Sequence, residues 1–422
     1  MIKTLTFFFL PLLLLSGSEL LADDNKEINW KEEIEGLKRE LTARHPDLFF
    51  YADSASFYKG LKGVTERAPG KNVLEVAVML QQVVAKLGDA NTQVNYNYLI
   101  DNNLILPFQC YWFQEGLYVS GYLKDYEKME GKLIVSINNY PVRQVIDSLA
   151  TLISGANPSL VRYAVPRMII WVQLLEYFGF AELPEVEITL EDPSGNHTRE
   201  IIRLPSPESA HITVGPDPLP LGWQDRNAFF RDHYFPDDNL YYIQYNKCWS
   251  REAEVDFGSG ASALFMPSFK EFEKKVLKTI RKQEIEKMVI DLRFNSGGNA
   301  LQGTNFVGKL QKSGIGDRSE IYLMVGRKTF SSAIINAVDV IRAFAPVVVG
   351  EDTGGKPNHF GEIKRFVLTT SNLVVTHSTK YFTLMEDDPQ TIAPDLQISQ
   401  TFEGFMKGTD EAMEVIRNHS HR

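Results

Sequence analysis

The stretch KMVIDLRFNSGG, residues 287–298, decides the fold. Its first half, up to Leu292, is a short apolar run typical of a buried parallel strand. The run ends at a turn, because Gly297 and Gly298 adopt positive φ without strain and let the backbone approach another group closely. A helical pattern follows from Ala300 to about Leu310. The stretch therefore predicts a strand, a turn and a helix in succession.

The same order continues along the chain. A second apolar strand covers Ile321 to Val325, a second helix runs from Ser332 to about Phe344, and a third strand covers Pro346 to Gly350 before a loop that reaches Phe360. Strands that alternate with helices of this length favour β-α-β crossovers and a parallel sheet. Such sheets bind ligands at the carboxyl ends of their strands, so the three loops after these strands form the candidate site.

A serine and a lysine on those loops suggest acyl transfer. Ser331 stands where a strand has ended and a helix begins, so free N–H groups of the helix favour negative charge around it. The turn that ends at Gly298 could place a second N–H nearby, as an oxyanion site requires. Lys356 lies 25 residues after Ser331 on the same edge of the sheet. A lysine serves as a general base where burial keeps it neutral.

Simpler interpretations of these residues stay open at this point. A serine at a helix start is most often an N-cap, and a Gly-Gly-Lys sequence is usually a solvated turn. His359 fits a surface residue as well as a base or a ligand, since no second ligand stands at metal spacing beside it. The sequence has no G-x-S-x-G motif and no Walker loop, which weakens the α/β-hydrolase and P-loop alternatives.

Three segments resemble the carboxyl-terminal processing, or tail-specific, family of serine peptidases. They are VIDLRFNSGG at 289–298, TFSSA at 329–333 and VGEDTGGK at 349–356. The resemblance implies a crotonase-like or Clp-protease-like β-α superhelix core, related to the tricorn protease core and to the retinoid-binding protein of the eye. It also implies that Ser331 is the nucleophile and Lys356 the base. By the same resemblance, Gly297 or Gly298 and Ser332 supply the N–H groups of the oxyanion hole.

The chain departs from this family in the turn from Leu87 to Thr92. Many relatives of the tricorn type carry a catalytic histidine where this sequence has Asn91, and an amide cannot act as a general base near neutral pH. Either Lys356 is the base or the site is impaired. The acids from Glu386 to Asp388 resemble the family's closing segment, where an acid could orient a base, although charge clusters usually face water.

The organisation of the chain predicts an exported protein with a PDZ-like module. Residues 1–22 read as a signal peptide with an apolar run too short for a membrane span, so we expect no stable membrane anchor and a periplasmic or secreted protein. We assign the rest as a helical region at 23–97, a PDZ-like module at 98–205, a linker at 206–236 and the protease core at 237–422. The module either captures peptides by strand addition or only shields the active site.

The composition limits the partners. The chain has 44 Lys and Arg against 54 Asp and Glu, a net charge of −10, which argues against nucleic acid as a partner. Its cysteines, Cys110 and Cys248, could form one disulfide or stay free. No metal and no organic cofactor is implied.

The sequence therefore predicts an exported serine endopeptidase with a protein or peptide substrate, Ser331 as nucleophile and Lys356 as base. In one alternative, His359 is the base and Lys356 positions the loop. In another, the chain is a catalytically retired member of the family that binds a peptide or another ligand. The sequence does not give the oligomeric state.

Overall fold

The computed structural model describes residues 28–155, 157–206 and 208–419, so the predicted signal peptide lies outside the described residues. The chain begins with the helices α1 (Trp30–Arg44), α2 (Ser54–Arg67) and α3 (Val73–Ala85). Apolar residues recur in α1 at helical spacing and are buried. This helical pattern is as the sequence predicts.

Strands dominate the next part of the chain. In chain order the elements are β1 (Gln93–Val94), β2 (Phe108–Trp112), β3 (Leu117–Leu123), β4 (Leu133–Ile137), β5 (Tyr140–Pro141), α4 (Val142–Ala150), α5 (Pro158–Met168), α6 (Val172–Tyr177), β6 (Glu185–Glu191), β7 (His197–Arg203) and β8 (His211–Thr213). Strands β2 to β8 form one antiparallel sheet, which we call the module sheet.

The rest of the chain contains a second sheet, the core sheet, together with helices and with short strands that belong to smaller sheets. The elements are α7 (Leu221–Gln224), β9 (Phe230–Phe235), β10 (Leu240–Tyr245), α8 (Arg251–Phe257), α9 (Phe269–Lys282), β11 (Lys287–Asp291), α10 (Ala300–Lys312), β12 (Glu320–Val325), α11 (Ser332–Phe344), β13 (Val347–Gly350), β14 (His359–Gly361), β15 (Lys364–Val367), β16 (Val374–His377), β17 (Lys380–Phe382), β18 (Leu396–Gln397), α12 (Phe402–Met406) and α13 (Glu411–Asn418).

The core sheet is parallel except at one edge. Its order is β18-β13-β12-β11-β10-β9, and only β9 runs antiparallel to its neighbour. One face packs on α9, α10 and α11 through Val276, Phe306 and Val338, and the other packs on α13 through Met413 and Ile416. Since β11, β12 and β13 are parallel neighbours, the loops that follow them meet at one edge. The chain is thus a mixed α/β protein with several sheets.

The segment 206–236, predicted to be a linker, is part of both sheets. Strand β8 pairs with β3, with Ile212 opposite Tyr122, and β9 pairs with β10 along its whole length. Proline and glycine mark turns in this segment, but they leave room for short strands at sheet edges, where an unpaired side is tolerated. The two sheets are therefore joined by paired strands rather than by a free connection.

A hairpin follows β14, and it joins the segment after the N-terminal helices to the C-terminal part of the chain. Strand β15 pairs antiparallel with β16, with Val367 opposite Val374, and β1 pairs with the other side of β16. Cys110 and Cys248 are both free thiols, so the disulfide alternative is wrong. None of the helices in the described part is long and apolar enough to cross a membrane.

Candidate active site

Ser331 has an unusual backbone conformation at the sharp turn between β12 and α11. Its φ is 53° and its ψ is −126°, and its side chain makes no hydrogen bond that caps α11. A non-glycine residue in such a region costs about 1–3 kcal/mol, and it persists where the surroundings hold it. The N-cap interpretation of this serine therefore does not explain its position. The geometry is that of a nucleophile on a strained strand-to-helix turn, reached here without the G-x-S-x-G motif.

Hydrogen bonds from Thr329 hold this turn in place. The Thr329 N–H donates to Gly326 O at 2.8 Å, and its hydroxyl donates to Leu292 O at 2.9 Å. The Phe330 N–H donates to Asn295 O at 3.2 Å. The turn is thus fixed to the loop after β11, which carries the paired glycines.

Gly297 lies directly against Ser331, and the Gly298 carbonyl accepts a hydrogen bond from the Ser332 hydroxyl at 2.6 Å. A Cβ on Gly297 would come within 3.0 Å of Ser331 Cβ and within 3.1 Å of Ser332 N, so only glycine fits there. Gly297 and Gly298 have φ values of 105° and 135°, which side chains rarely adopt. The turn therefore brings its backbone next to the first N–H of α11.

Not all of the predicted oxyanion donors are free. The Gly297 N–H donates to Asn295 Oδ1 at 2.9 Å, and the Asn295 amide donates in turn to Tyr245 O. Among the described residues, none accepts a hydrogen bond from the N–H of Gly298 or of Ser332. These two N–H groups are therefore the pair available to a developing oxyanion, while Gly297 shapes the turn.

The loop that carries Lys356 packs on the loop that carries Ser331. The Gly355 N–H donates to Thr329 O at 3.1 Å, and a Cβ on Gly355 would come within 3.2 Å of Phe330 Cα. The ammonium of Lys356 donates to Asp388 Oδ2 at 2.8 Å and lies 4.9 Å from the centre of the Tyr51 ring. The ammonium of Lys356 thus forms an ion pair with one of the acids of the closing segment.

Asn91 and His359 both have hydrogen-bond partners within the protein. The Asn91 amide is buried and donates to Phe360 O at 2.7 Å. His359 Nδ1 lies 2.9 Å from Pro357 O, its ring stacks on Phe382, and burial lowers the pKa of its imidazole. No hydrogen bond joins Ser331 to Asn91, His359 or Lys356 among the described residues, so hydrogen bonding does not choose between His359 and Lys356 as the base.

The sequence missed several residues that shape this site. Asn295 and Thr329 lie inside the motifs, and only their hydrogen bonds identify them as supports of the turn. Tyr51 reaches Lys356 from a distant part of the chain, whereas Asp388, which pairs with Lys356, is one of the acids that the resemblance already named as able to orient a base. Within residues 28–155, 157–206 and 208–419, no group of His, Cys, Asp or Glu side chains could hold a metal ion.

Comparison with known proteins supports the fold. No family model matches the chain, and no curated protein matches it either. Among solved structures, mature CPAF complexed with lactacystin has a TM-score of 0.64 at 12% identity, over 92% of this chain and 97% of that one. Mature CPAF without that compound has a TM-score of 0.62 at 11% identity, over 92% and 96%.

A more distant match is the photosystem II D1 C-terminal processing protease, with a TM-score of 0.41 at 14% identity over 92% of this chain and 99% of that one. The fold assignment rests on the two CPAF structures, whose TM-scores above 0.6 over more than nine-tenths of each chain support a shared fold. At these identities the matches concern the fold, and the chemistry rests on the site itself.

Proposed function

We propose that the chain is an exported serine-type endopeptidase that hydrolyses peptide bonds of protein or peptide substrates, with Ser331 as nucleophile and Lys356 as general base. One observation carries the proposal: Ser331 is held at positive φ beside two N–H groups, those of Gly298 and Ser332, that have no acceptor in the described chain. A purely structural turn has no need of a strained serine next to unused donors.

The reaction follows from these positions. Lys356 leaves its ion pair with Asp388 and releases its proton to bulk water. The neutral amine then accepts the hydroxyl proton of Ser331, whose oxygen attacks the peptide carbonyl. The carbonyl oxygen takes the negative charge, and each N–H that holds it contributes about 3 kcal/mol. The amine leaves with the proton from Lys356, and water, deprotonated by the same lysine, then hydrolyses the ester on Ser331.

Export is proposed from the sequence of the first 22 residues. A cation, an apolar run of signal-peptide length and small residues at its end succeed one another there. We therefore place the mature protein in the periplasm or outside the cell, and mass spectrometry of the N-terminus of the secreted protein tests this.

The test of the nucleophile compares the protein with its Ser331→Ala variant on an unfolded protein substrate, with products read by mass spectrometry. We expect cleavage by the first and a loss of about a thousandfold or more in the second. A fluorophosphonate probe should label the protein at Ser331 and leave the variant unlabelled. Cleavage at an unchanged rate by Ser331→Ala would rule out the mechanism.

A Ser331→Gly variant separates chemistry from folding. Glycine accepts positive φ without strain, so we expect this variant to be inactive and at least as stable as the protein. Should neither the protein nor its variants cleave or take the probe while all are folded, the retired, ligand-binding alternative replaces the peptidase.

A further inference from the structure

Cys248, on the segment that follows β10, lies against residues 295–299, which we call the glycine turn. The Cys248 N–H donates to Gly297 O at 3.1 Å, and its carbonyl oxygen accepts a hydrogen bond from the Asn299 N–H at 2.6 Å. The two segments pair in parallel, with Cys248 opposite Gly298, and a Cβ on Gly298 would come within 2.4 Å of Cys248 O. The backbone of Cys248 therefore contacts the turn that supplies one of the two proposed oxyanion donors.

This pairing sets the direction of the Gly298 N–H. The peptide bond between Gly297 and Gly298 is trans, so its C=O and its N–H point in opposite directions. Because the Cys248 N–H holds Gly297 O, the Gly298 N–H points away from the Cys248 segment. The next carbonyl oxygen, Gly298 O, accepts the Ser332 hydroxyl at 2.6 Å. The orientation of this donor thus depends on the position of Cys248.

The side chain of Cys248 is fully buried at the junction of three elements. Its Sγ lies 3.4 Å from Asn295 Oδ1, on the loop after β11, and 3.3 Å from Asn336 Oδ1, on α11. Asn295 Oδ1 also accepts the Gly297 N–H at 2.9 Å. The Asn336 amide donates to Ala300 O at 2.9 Å, at the start of α10. The thiol therefore connects the segment after β10 with the glycine turn and with α11.

A thiol suits this position because it donates one hydrogen and stays uncharged. Burial raises the pKa of the Cys248 thiol to about 12, so the thiol keeps its hydrogen near neutral pH. Among the described residues, this thiol is the donor that reaches Asn336 Oδ1. The same oxygen is packed against α10, since a Cβ on Gly303 would come within 2.1 Å of it. A side chain without a donor would leave this buried oxygen unpaired, which disfavours the present position of the amide.

We propose that Cys248 is a positioning residue for the oxyanion hole: its side chain holds the segment whose backbone directs the Gly298 N–H toward the substrate oxygen. The proposal rests on the proposed function, because it takes Gly298 as an oxyanion donor. Cys248 acts through Gly298 and takes no part in the chemistry itself. A donor of this kind bonds most strongly to the charged oxygen of the transition state, so its misdirection slows the step at Ser331 and leaves substrate binding unchanged.

The experiment compares Cys248→Ala, which removes the thiol, with Cys248→Ser, which keeps a hydrogen-bond donor. In the Ala variant we expect kcat to fall by about tenfold to a hundredfold with KM changed by less than about twofold, since a misplaced donor is partly lost to the transition state. The Ser variant should keep kcat within about fivefold of the unmodified protein, because a hydroxyl also donates one hydrogen. The pH profile of kcat/KM should keep its midpoints in both variants, because the base is unchanged.

Cys110→Ala is the matched control. Cys110 is the other cysteine of the chain, on β2 of the module sheet, and its Sγ lies 3.2 Å from Pro166 O. This variant loses a thiol and its hydrogen bond as Cys248→Ala does, and kcat should not change. An equal loss of kcat in the two Ala variants, or full activity of Cys248→Ala, would overturn the proposal. If Cys248→Ala does not fold, Cys248→Val, which fills the space but has no donor, is expected to show the same loss of kcat.

A second measurement does not depend on catalysis. Hydrogen exchange of the peptide that covers residues 293–300, read by mass spectrometry, reports the N–H groups of Gly297 and Asn299, which are both hydrogen-bonded in the unmodified protein. Their exchange should be about tenfold faster in Cys248→Ala and unchanged in Cys110→Ala, while peptides of the module sheet that lack Cys110 keep their rates in Cys248→Ala. Unchanged exchange of the glycine turn in Cys248→Ala would contradict the proposal.

The two measurements separate this proposal from the peptidase. If the unmodified protein cleaves peptides and Cys248→Ala keeps its kcat, the positioning role fails and the peptidase stands. If no form of the protein cleaves a peptide but exchange in the glycine turn rises in Cys248→Ala alone, the peptidase fails and the position of the Gly298 N–H still depends on Cys248. A loss of kcat together with faster exchange, in Cys248→Ala and not in Cys248→Ser, supports both.

Discussion

Arg293 and Lys328 are both desolvated cations on loops at the same edge of the core sheet, and they are treated in opposite ways. Arg293 lies between Asp291 and Asp410, with nitrogen to oxygen distances of 2.8 Å to each. Burial acts to lower the pKa of Arg293, but the two carboxylates outweigh it and raise that pKa above its ordinary value. Lys328 forms no salt bridge within the described residues, and burial, followed by the positive charges of Arg167, Arg226 and Lys247, lowers its pKa to about 7.

The difference between Arg293 and Lys328 distinguishes a cation that stabilises the fold from one that is a candidate for a functional role. Asp410 is the N-cap of α13 and also accepts a hydrogen bond from the Gly222 N–H, so the Arg293 pair ties the last helix and α7 to the end of β11. Each charge there is compensated within the protein. Among the described residues the charge of Lys328 has no such compensation, and a group left in that state three residues before the proposed nucleophile is a candidate for contact with a ligand.

The largest change in stability is expected at Arg293, whose positive charge is balanced by two buried carboxylates. Arg293→Met leaves the buried carboxylates of Asp291 and Asp410 without a counter-charge, and breaking a buried ion pair in this way costs about 3–5 kcal/mol. The free energy of unfolding from urea titrations measures this loss. A variant that also replaces both aspartates with Leu should recover much of it, because apolar side chains need no counter-charge.

A loss below about 1 kcal/mol in Arg293→Met would mean that water reaches the carboxylates and that the pair does not fix the architecture. Calorimetry of the same variant is the second check, since detachment of α13 should lower the cooperativity of the transition as well as its midpoint.

Lys356 stands between these two extremes, because its partner Asp388 is half-exposed and its own ammonium is mostly buried. Lys356→Arg keeps the positive charge for Asp388 and for the Tyr51 ring but replaces the amine with a guanidinium, which cannot serve as a general base. If Lys356 is the base, we expect kcat to fall by about a hundredfold to ten-thousandfold with an unchanged melting temperature. Activity near that of the unmodified protein would show that Lys356 only positions the loop.

Much of the core could be predicted because short apolar runs, paired glycines and helical patterns follow one another from Lys287 onward. The strands β11, β12 and β13 and the helices α10 and α11 lie within a few residues of the predicted bounds. Helical spacing predicts Ile335, Val338 and Ile341 on the inner face of α11. This prediction is partly wrong, since Ile335 and Ile341 are half-exposed while Ile334 and Val340 are buried. A helix packed on both a sheet and a neighbouring helix buries a wide arc, which periodicity alone does not orient.

The site was predictable only where its members share a motif. Ser331 and the paired glycines follow strands directly, so the topology of a parallel sheet brings them together. The ion pair of Lys356 with Asp388 joins residues far apart in sequence, and no local pattern encodes such a contact. The roles of Ser331, Lys356 and His359 remain predictions that the variants above test.

The smallest change in stability is expected at Lys328. Its substitution should stabilise the fold, whereas that of Arg293 should destabilise it. Lys328→Met keeps the apolar stem and removes a charge that faces Arg167, Arg226 and Lys247, so it should stabilise the fold by about 1–2 kcal/mol at pH 6. The pKa of Lys328 is about 7 in the folded protein and 10.5 in the unfolded chain, so the unfolded chain binds more protons between these values.

The destabilisation by Lys328 is therefore complete below pH 7 and disappears as the pH rises from 7 to 10.5, and the advantage of Lys328→Met should shrink in the same window. Unfolding free energies of both proteins at pH 6, 8 and about 10 measure this, with Lys59→Met as the control. A variant that is less stable than the protein at pH 6 would mean that Lys328 is compensated after all. The contrast with Arg293 would then fail.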